Sequence, residues 1–458
     1  MTRAKRRSPV LELPSEVPAD WTPDRSHHFV FRSRCLDPRT GEVRLDYVLD
    51  GLQLSETVVI PGAPFELPAE HRAAIEGALD LLHWVAGISY WKAGCPNHIR
   101  FDGSGPDAWQ SRWLDRLYRE GLAEFAYRNR LDVDAFPHFP VGPDRPAQTH
   151  AFDLARRTLV PMGGGKDSLV AWARLSRLDE PLASVQIGRS PLILRIGEVL
   201  PGEHLVIDRR LDPGLARLNA MGALNGHVPV TAINASILVL TALLLDYHRV
   251  AFANERSASE ASLIDTKGRA VNHQFSKSLE FERMLDAWVR RFVHPELHVF
   301  SVLRRDRELA ICREFSALPE FHGLFSSCNR NFHLDGPRVQ RWCGACPKCH
   351  FVYLCLAPFM SPEALRGIFG KDLLADPDLS PGFEALLALD GVKPFECVGE
   401  AEEARAAVRA LAAQSRWAAH PVVEHLEARL RGYSVADIDA LCEAGGEQNL
   451  PGELIDAA

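Results

Sequence analysis

The chain has 458 residues, 46% of them hydrophobic, with a formal net charge of −8. That length makes two or three domains with sizeable cores, and the acidic balance excludes a broad nucleic-acid face, which needs a basic surface. The longest nearly apolar run, Ala232 to Leu245, carries Asn234, Ser236 and Thr241 and falls short of the ~20 residues of a membrane span, so it reads as a buried helix and excludes membrane insertion.

The first residues, Met-Thr-Arg-Ala-Lys-Arg-Arg, are basic but lead into Pro and Glu, which is no secretory signal; residues 1–26 are expected to be disordered. Strand-like stretches follow at His28 to Arg34, Val43 to Leu49 and Glu56 to Ile60, with turn signals at Asp37 to Gly41 and Asp50-Gly51. Helical periodicity covers Pro68 to Val85 and Ala108 to Arg128. Residues 27–136 thus form an α+β domain, and Pro137, Pro140, Pro143 and Pro146 make residues 137–150 a stiff, exposed linker.

From 151 to 327 strands alternate with helices: strand Thr158 to Met162, helix Asp167 to Leu178, strands Leu182 to Ile187 and His204 to Ile207, helix Thr231 to Tyr247, strand Val250 to Ala253. Such alternation predicts a doubly wound parallel sheet, whose ligands bind at the carboxyl ends of strands. At one such end Gly163, Gly164 and Gly165 allow close backbone approach, and Lys166, Asp167 and Ser168 open a helix. An anion there meets free N–H groups and the positive helix end, while Lys166 supplies charge and Asp167 can hold Mg²⁺; both side chains are expected to face the pocket. The spacing fits neither the Walker nor the dinucleotide pattern. It resembles the PP-loop of ATP pyrophosphatases, Ser-Gly-Gly-x-Asp-Ser, which grips the pyrophosphate of ATP while the α-phosphate is attacked; Gly163 stands where that family has serine. The resemblance implies an α/β, adenine nucleotide alpha hydrolase-like fold.

The polar segment Asn254 to Glu260 ends another strand and can face the same pocket, although helix caps and solvated acids account for it equally well. Asn272 to Lys277 packs an imidazole, two amides, a hydroxyl and an ammonium into six residues.

Further on, Cys343-Gly-Ala-Cys346-Pro-Lys-Cys349 places three thiolates on one turn, fifteen residues after Cys328. Four thiolates suit tetrahedral Zn²⁺ as a closed structural site; an iron–sulfur cluster is the alternative, and His333 or His350 could replace Cys328. PP-loop enzymes that make preQ0 carry a similar zinc site. Residues 328–458 then read as a zinc-stapled helical region, with helices at Phe351 to Pro358, Glu363 to Leu373 and Ala401 to Leu411, and with Trp342, Phe351, Tyr353 and Phe359 in its core.

Longer motifs carry a more specific likeness. Gly87-Ile-Ser-Tyr-Trp-Lys-Ala93, Gly163-Gly-Gly-Lys-Asp-Ser168, Asn225-Gly-His-Val-Pro-Val-Thr-Ala232, Phe252-Ala-Asn-Glu-Arg-Ser-Ala258, Val271-Asn-His-Gln-Phe-Ser-Lys277, Phe325-Ser-Ser-Cys-Asn-Arg-Asn331, Arg341-Trp-Cys-Gly-Ala-Cys-Pro-Lys-Cys349 and Lys393-Pro-Phe-Glu-Cys397 resemble the UDP-N-acetyl-α-D-muramoyl-L-alanyl-L-glutamate epimerases. The resemblance implies a cytoplasmic isomerase of peptidoglycan precursor synthesis. It would take a UDP-linked muramoyl dipeptide, ATP and Mg²⁺, invert the terminal glutamate and release AMP and pyrophosphate. The proton-transfer candidates are His273, Lys277 and Glu255, with Lys92 and Cys95 outside them, and Arg256, Arg269 and Arg330 are available for the UDP anion. A PP-loop amidating or thiolating enzyme (preQ0-synthase-like or tRNA-modifying), or a nucleotide sensor without turnover, are the rival classes.

Overall fold

A computed structural model describes residues 21–147, 152–261, 263–265, 267–331, 341–389, 391, 394, 396 and 398–455. Its strands are β1 His28–Asp37, β2 Glu42–Leu49, β3 Leu52–Val59, β4 His98–Phe101, β5 Thr158–Pro161, β6 Leu182–Ile187, β7 Glu203–Arg210, β8 Arg249–Phe252, β9 Leu263–Ile264, β10 Ala270–Val271 and β11 His298–Ser301. Nine of them form one sheet in the order β11-β8-β5-β6-β7-β3-β2-β1-β4, and β9 and β10 form a separate antiparallel ribbon.

The five strands from β11 to β7 are parallel. Parallel strands bury both faces, so successive residues must enter different cores. Leu159, Val250 and Val299 enter one with the helices Val230–Leu244 and Leu279–Phe292; Val160, Ala251 and Phe300 enter the other with Lys166–Leu175 and Glu308–Ser316. Helices therefore cover both faces of this half. No helix among the described residues is long and apolar enough to cross a membrane, and the apolar Val230–Leu244 is a buried core helix.

The remaining four strands are an antiparallel meander, β1-β2-β3, with β4 added parallel to β1 at the far edge, and they are fused to the parallel half where Thr57 to Val59 pair with Asp208 to Arg210. Segments 27–136 and 151–327, expected as separate domains, thus share one sheet and one hydrophobic core. Two further expectations are corrected. Residues 21–26 are not disordered: Trp21 is buried, and its indole donates to Asp50 at 2.9 Å. Residues 1–20 lie outside the described residues. The proline segment is exposed over most of residues 137–147, Pro140, Pro143 and Pro146 included, but it is docked and not a free linker: Phe139 is buried, Gly142 N donates to Pro106 O, and the Arg145 guanidinium lies 5.0 Å from the Trp84 ring centroid. Proline stiffens such a segment, but one aromatic anchor is enough to dock it.

After residue 341 the chain is helical, with Pro347–Leu356, Pro362–Phe369, Ala401–Ala412 and Pro421–Arg429 packed on the second core.

Candidate active site

β5 sends its crossover helix to β6 on one side, while β8 lies on its other side. The strand order reverses there, and the carboxyl ends of strands part to leave a crevice. A cavity of about 430 Å³ occupies this point, within the size range of small-molecule sites. Pro161 and Met162 at the end of β5, Val185 and Ile187 of β6, and Phe252 to Asn254 after β8 form its sheet side.

Three helices open their first turns on it: Lys166–Leu175 through Asp167 and Ser168, Val230–Leu244 through Thr231 and Asn234, and Pro347–Leu356 through Lys348. None of the three has a side-chain cap. Each first turn adds a positive helix end, which favours an anion in this space, although Val230 N and Ala232 N already donate to Val228 O and Pro229 O and Pro347 has no N–H.

The glycine loop is held from below. Gly164, at φ +83°, passes its carbonyl to Ser326 N at 2.9 Å, and a Cβ on Gly165 would meet Ser327 Oγ at 3.0 Å. Gly163, Gly165, Asp167 and Ser168 line the cavity, as the sequence suggested.

Lys166 is where expectation and structure part. Its side chain does not line the cavity; it is 3% exposed, bonded to Asp167 Oδ1 at 2.5 Å and to Glu308. A buried ammonium needs compensation, and although burial works to lower it, Asp167 and Glu308 hold Lys166 well above its ordinary value. Burial likewise pushes the Glu308 carboxyl up, against the pull of Lys166. Asp167, Glu255 and Glu308 each bring a carboxylate oxygen within 4.8 Å of the others, a hard-oxygen set of the kind that divalent cations take.

The proton-transfer candidates do not converge equally. Lys277 reaches the cavity wall. Glu255 is buried among the carboxylates, accepting from Ser257 Oγ at 3.3 Å. His273 is buried outside the lining, its ring 6.3 Å from His227, which lies 3.8 Å from Glu124. Burial lowers His227, and His273 and Lys277 add to that. Lys92 is used structurally, donating to Leu224 O and Asn225 Oδ1, and burial raises the Cys95 thiol to about 12. The arginines do not gather: Arg269 pairs with Asp134, Arg256 approaches Gly445, and Arg330 is exposed.

The four cysteines do gather. Cys328, Cys343, Cys346 and Cys349 place their sulfurs within 4.8 Å of one another, with Cys343 to Cys349 at 3.8 Å and Cys346 to Cys349 at 3.5 Å. Sulfurs at the corners of a tetrahedron around zinc, with bonds of about 2.3 Å, stand about 3.8 Å apart. His350 is not in the set and stacks on Phe383 at 4.5 Å; His333 lies outside the described residues.

What sequence reading missed is the wall opposite the glycine loop: Ser326, Ser327, Asn329 and Lys348. Their signal was present, since they flank Cys328 and lie between Cys346 and Cys349, but the cysteines masked it.

Comparison with known proteins bears on the whole chain. A family model described as the MurL N-terminal domain matches residues 21–302, and one described as the MurL C-terminal domain matches residues 324–440. Three curated relatives carry the name UDP-N-acetyl-alpha-D-muramoyl-L-alanyl-L-glutamate epimerase. That of Xanthomonas oryzae pv. oryzae is 46% identical over 394 residues, 85% of this chain and 87% of its own. Those of Salinispora tropica and a Micromonospora species are 40% and 39% identical, covering 94% and 93% of this chain and 96% of each relative.

Proposed function

The chain belongs to the MurL family of UDP-N-acetyl-alpha-D-muramoyl-L-alanyl-L-glutamate epimerases, and on that premise we propose that it inverts the terminal L-glutamate of that precursor to D-glutamate through an acyl-adenylate, consuming ATP and releasing AMP and pyrophosphate. It is an isomerase acting on a peptidoglycan precursor. The observation that carries the ATP-dependent part is the cavity at the strand-order reversal, where a glycine loop and three uncapped helix ends face one space.

The chemistry needs activation. An ionised carboxylate opposes a second negative charge at the neighbouring Cα, so the α-proton of glutamate is hard to remove. Attack of that carboxylate on the α-phosphate expels pyrophosphate and cancels the charge. The resulting ester-like carbonyl holds an enolate while a base takes the proton from one face and an acid returns one to the other. Water then frees the product and AMP. The alanyl carbonyl is already an amide and is never activated, so its centre keeps its configuration.

In this arrangement the backbone of Gly163 to Gly165 and the hydroxyl of Ser168 cradle the pyrophosphate. Asp167, with Glu255 and Glu308 behind it, would hold Mg²⁺, which neutralises phosphate charge. Lys277 meets the substrate at the cavity wall, and His273 and Glu255 are the further proton-transfer groups. Cys328, Cys343, Cys346 and Cys349 would hold one structural zinc, checked as about one zinc per chain by elemental analysis.

The decisive experiment supplies the L-glutamyl precursor, ATP and Mg²⁺ in D₂O, then measures glutamate chirality and α-deuterium after acid hydrolysis. D-glutamate carrying deuterium, with both lost when ATP is omitted, is the expected result. Inversion without ATP would overturn the adenylate mechanism.

A further inference from the structure

A nucleotide triphosphate site needs a cation near its phosphates, and the residue expected to supply it does not. Lys166 is shut into an ion pair with Glu308 and its neighbour Asp167 and is absent from the cavity wall. Two other lysines stand on that wall: Lys277, which the proposed function gives to the substrate, and Lys348. The Lys348 ammonium meets no carboxylate within ion-pairing distance among the described residues, and Lys348 is the second residue of the uncapped helix Pro347–Leu356. Charge and helix end thus point to the same space, and each favours an anion there.

What fixes Lys348 is the cysteine turn. Cys346 precedes it by two residues and Cys349 follows it directly. The fourth sulfur comes from Cys328, whose neighbours Ser327 and Asn329 line the same cavity. Ser326 ties the parts together: its N–H donates to Gly164 O, and its Oγ donates to Arg341 O at 2.5 Å and accepts from Cys328 N at 3.1 Å. The glycine loop and the cysteine turn are therefore two sides of one rigid clamp.

We infer that Lys348 is a phosphate-binding residue for the nucleoside triphosphate in this cavity, presented by the four-cysteine turn, which acts as the second jaw of the site and not as a remote staple. The inference rests on the ATP reading of the cavity.

Equilibrium binding of ATP with Mg²⁺ to the full-length protein, followed by calorimetry, separates the two. Loss of a charged partner should weaken Lys348→Met roughly 10- to 100-fold, while its melting temperature and metal content stay at the wild-type values; Lys348→Arg should recover part of the loss. Lys371→Met is the control, because Lys371 sits on the far side of the same turn, near Gly344 and 3.7 Å from Asp376, and should bind as wild type does. Equal affinity of Lys348→Met and wild type would overturn the inference while leaving the ATP reading intact. Wild-type protein that binds no ATP would overturn both.

Discussion

The molecule has a larger cavity than the one assigned to the nucleotide, and the two differ in how their charges are used. About 630 Å³ opens between β1, the helix Arg72–Ala86 and the proline segment. Its cations are already neutralised: Arg34 bonds Asp80 at 2.6 Å and Glu76 at 2.7 Å, and Arg145 bonds Asp80 as well. The 430 Å³ cavity has three uncapped helix ends and Lys348, which has no carboxylate partner among the described residues. Volume alone points to the first cavity; uncompensated polarity favours the one at the strand-order reversal, on which the proposed function rests.

The sharpest way to break this contrast is to remove one aspartate from each cavity. Asp167→Ala should cut substrate-dependent pyrophosphate release by about 100-fold or more, the scale of losing metal-assisted charge stabilisation, and keep the protein folded at a smaller stability cost, since Glu308 still pairs with Lys166. Asp80→Asn should do the reverse, costing about 3 kcal/mol of stability because two arginines lose a buried partner, with little change in turnover per folded molecule. Denaturant titration and a pyrophosphate assay on both variants decide it, and a catalytic defect in Asp80→Asn would remove the distinction.

Lys166 tests whether the glycine-loop lysine belongs to the structure or to the ligand. With Glu308 left buried and unpaired, Lys166→Ala should lose about 3 kcal/mol, visible as a lower urea midpoint. Lys166→Met combined with Glu308→Gln should be more stable than the sum of the singles predicts, because the uncompensated charge is gone. A fully stable Lys166→Ala would mean that the ion pair contributes nothing.

His83 gives the larger cavity a pH signature. Burial holds its imidazole near 4, below the ordinary 6.5, with its Nε2 3.0 Å from Asp46 O. The unfolded chain takes up a proton at higher pH than the folded one, so stability is full above pH 6.5 and falls as pH drops toward 4. The drop is about 3 kcal/mol at most, and His83→Asn should flatten the part of the pH dependence that lies in this window.

Local pattern made much of this legible. β6 matches its expected bounds, the glycine loop lines the cavity as its pattern suggested, and the four cysteines expected as a structural staple gather, beside that cavity and not remote from it. Non-local facts were not legible. β4 and β11 are four residues each, too short for a period to show, whereas the equally short β5 and β8 are marked by the glycine loop and the polar segment that follow them; the β3–β7 pairing joins residues about 150 apart, which no window captures. The burial of Lys166 depends on Glu308, 142 residues away. The role of Lys348 depends on where the helix Pro347–Leu356 is docked, which its own sequence does not state.

The smallest effect concerns the departure of the loop from the serine of the PP-loop pattern. A Cβ on Gly163 would meet nothing within 4 Å, and its φ is not in the left-handed region, whereas Gly164 sits at φ +83°. Gly163→Ser should therefore shift stability by no more than about 0.5 kcal/mol and leave ATP affinity equal or modestly improved, since its hydroxyl would face the proposed phosphate site. Gly164→Ser should cost about 1–2 kcal/mol from backbone conformation alone and disturb the carbonyl that Ser326 N holds. Melting curves and ATP titrations on the two neighbours separate a glycine that the fold requires from one that it does not. A Gly163→Ser protein as damaged as Gly164→Ser would mean that the ligand itself presses against the loop at Gly163, which would place the phosphates nearer the end of β5 than the helix ends suggest.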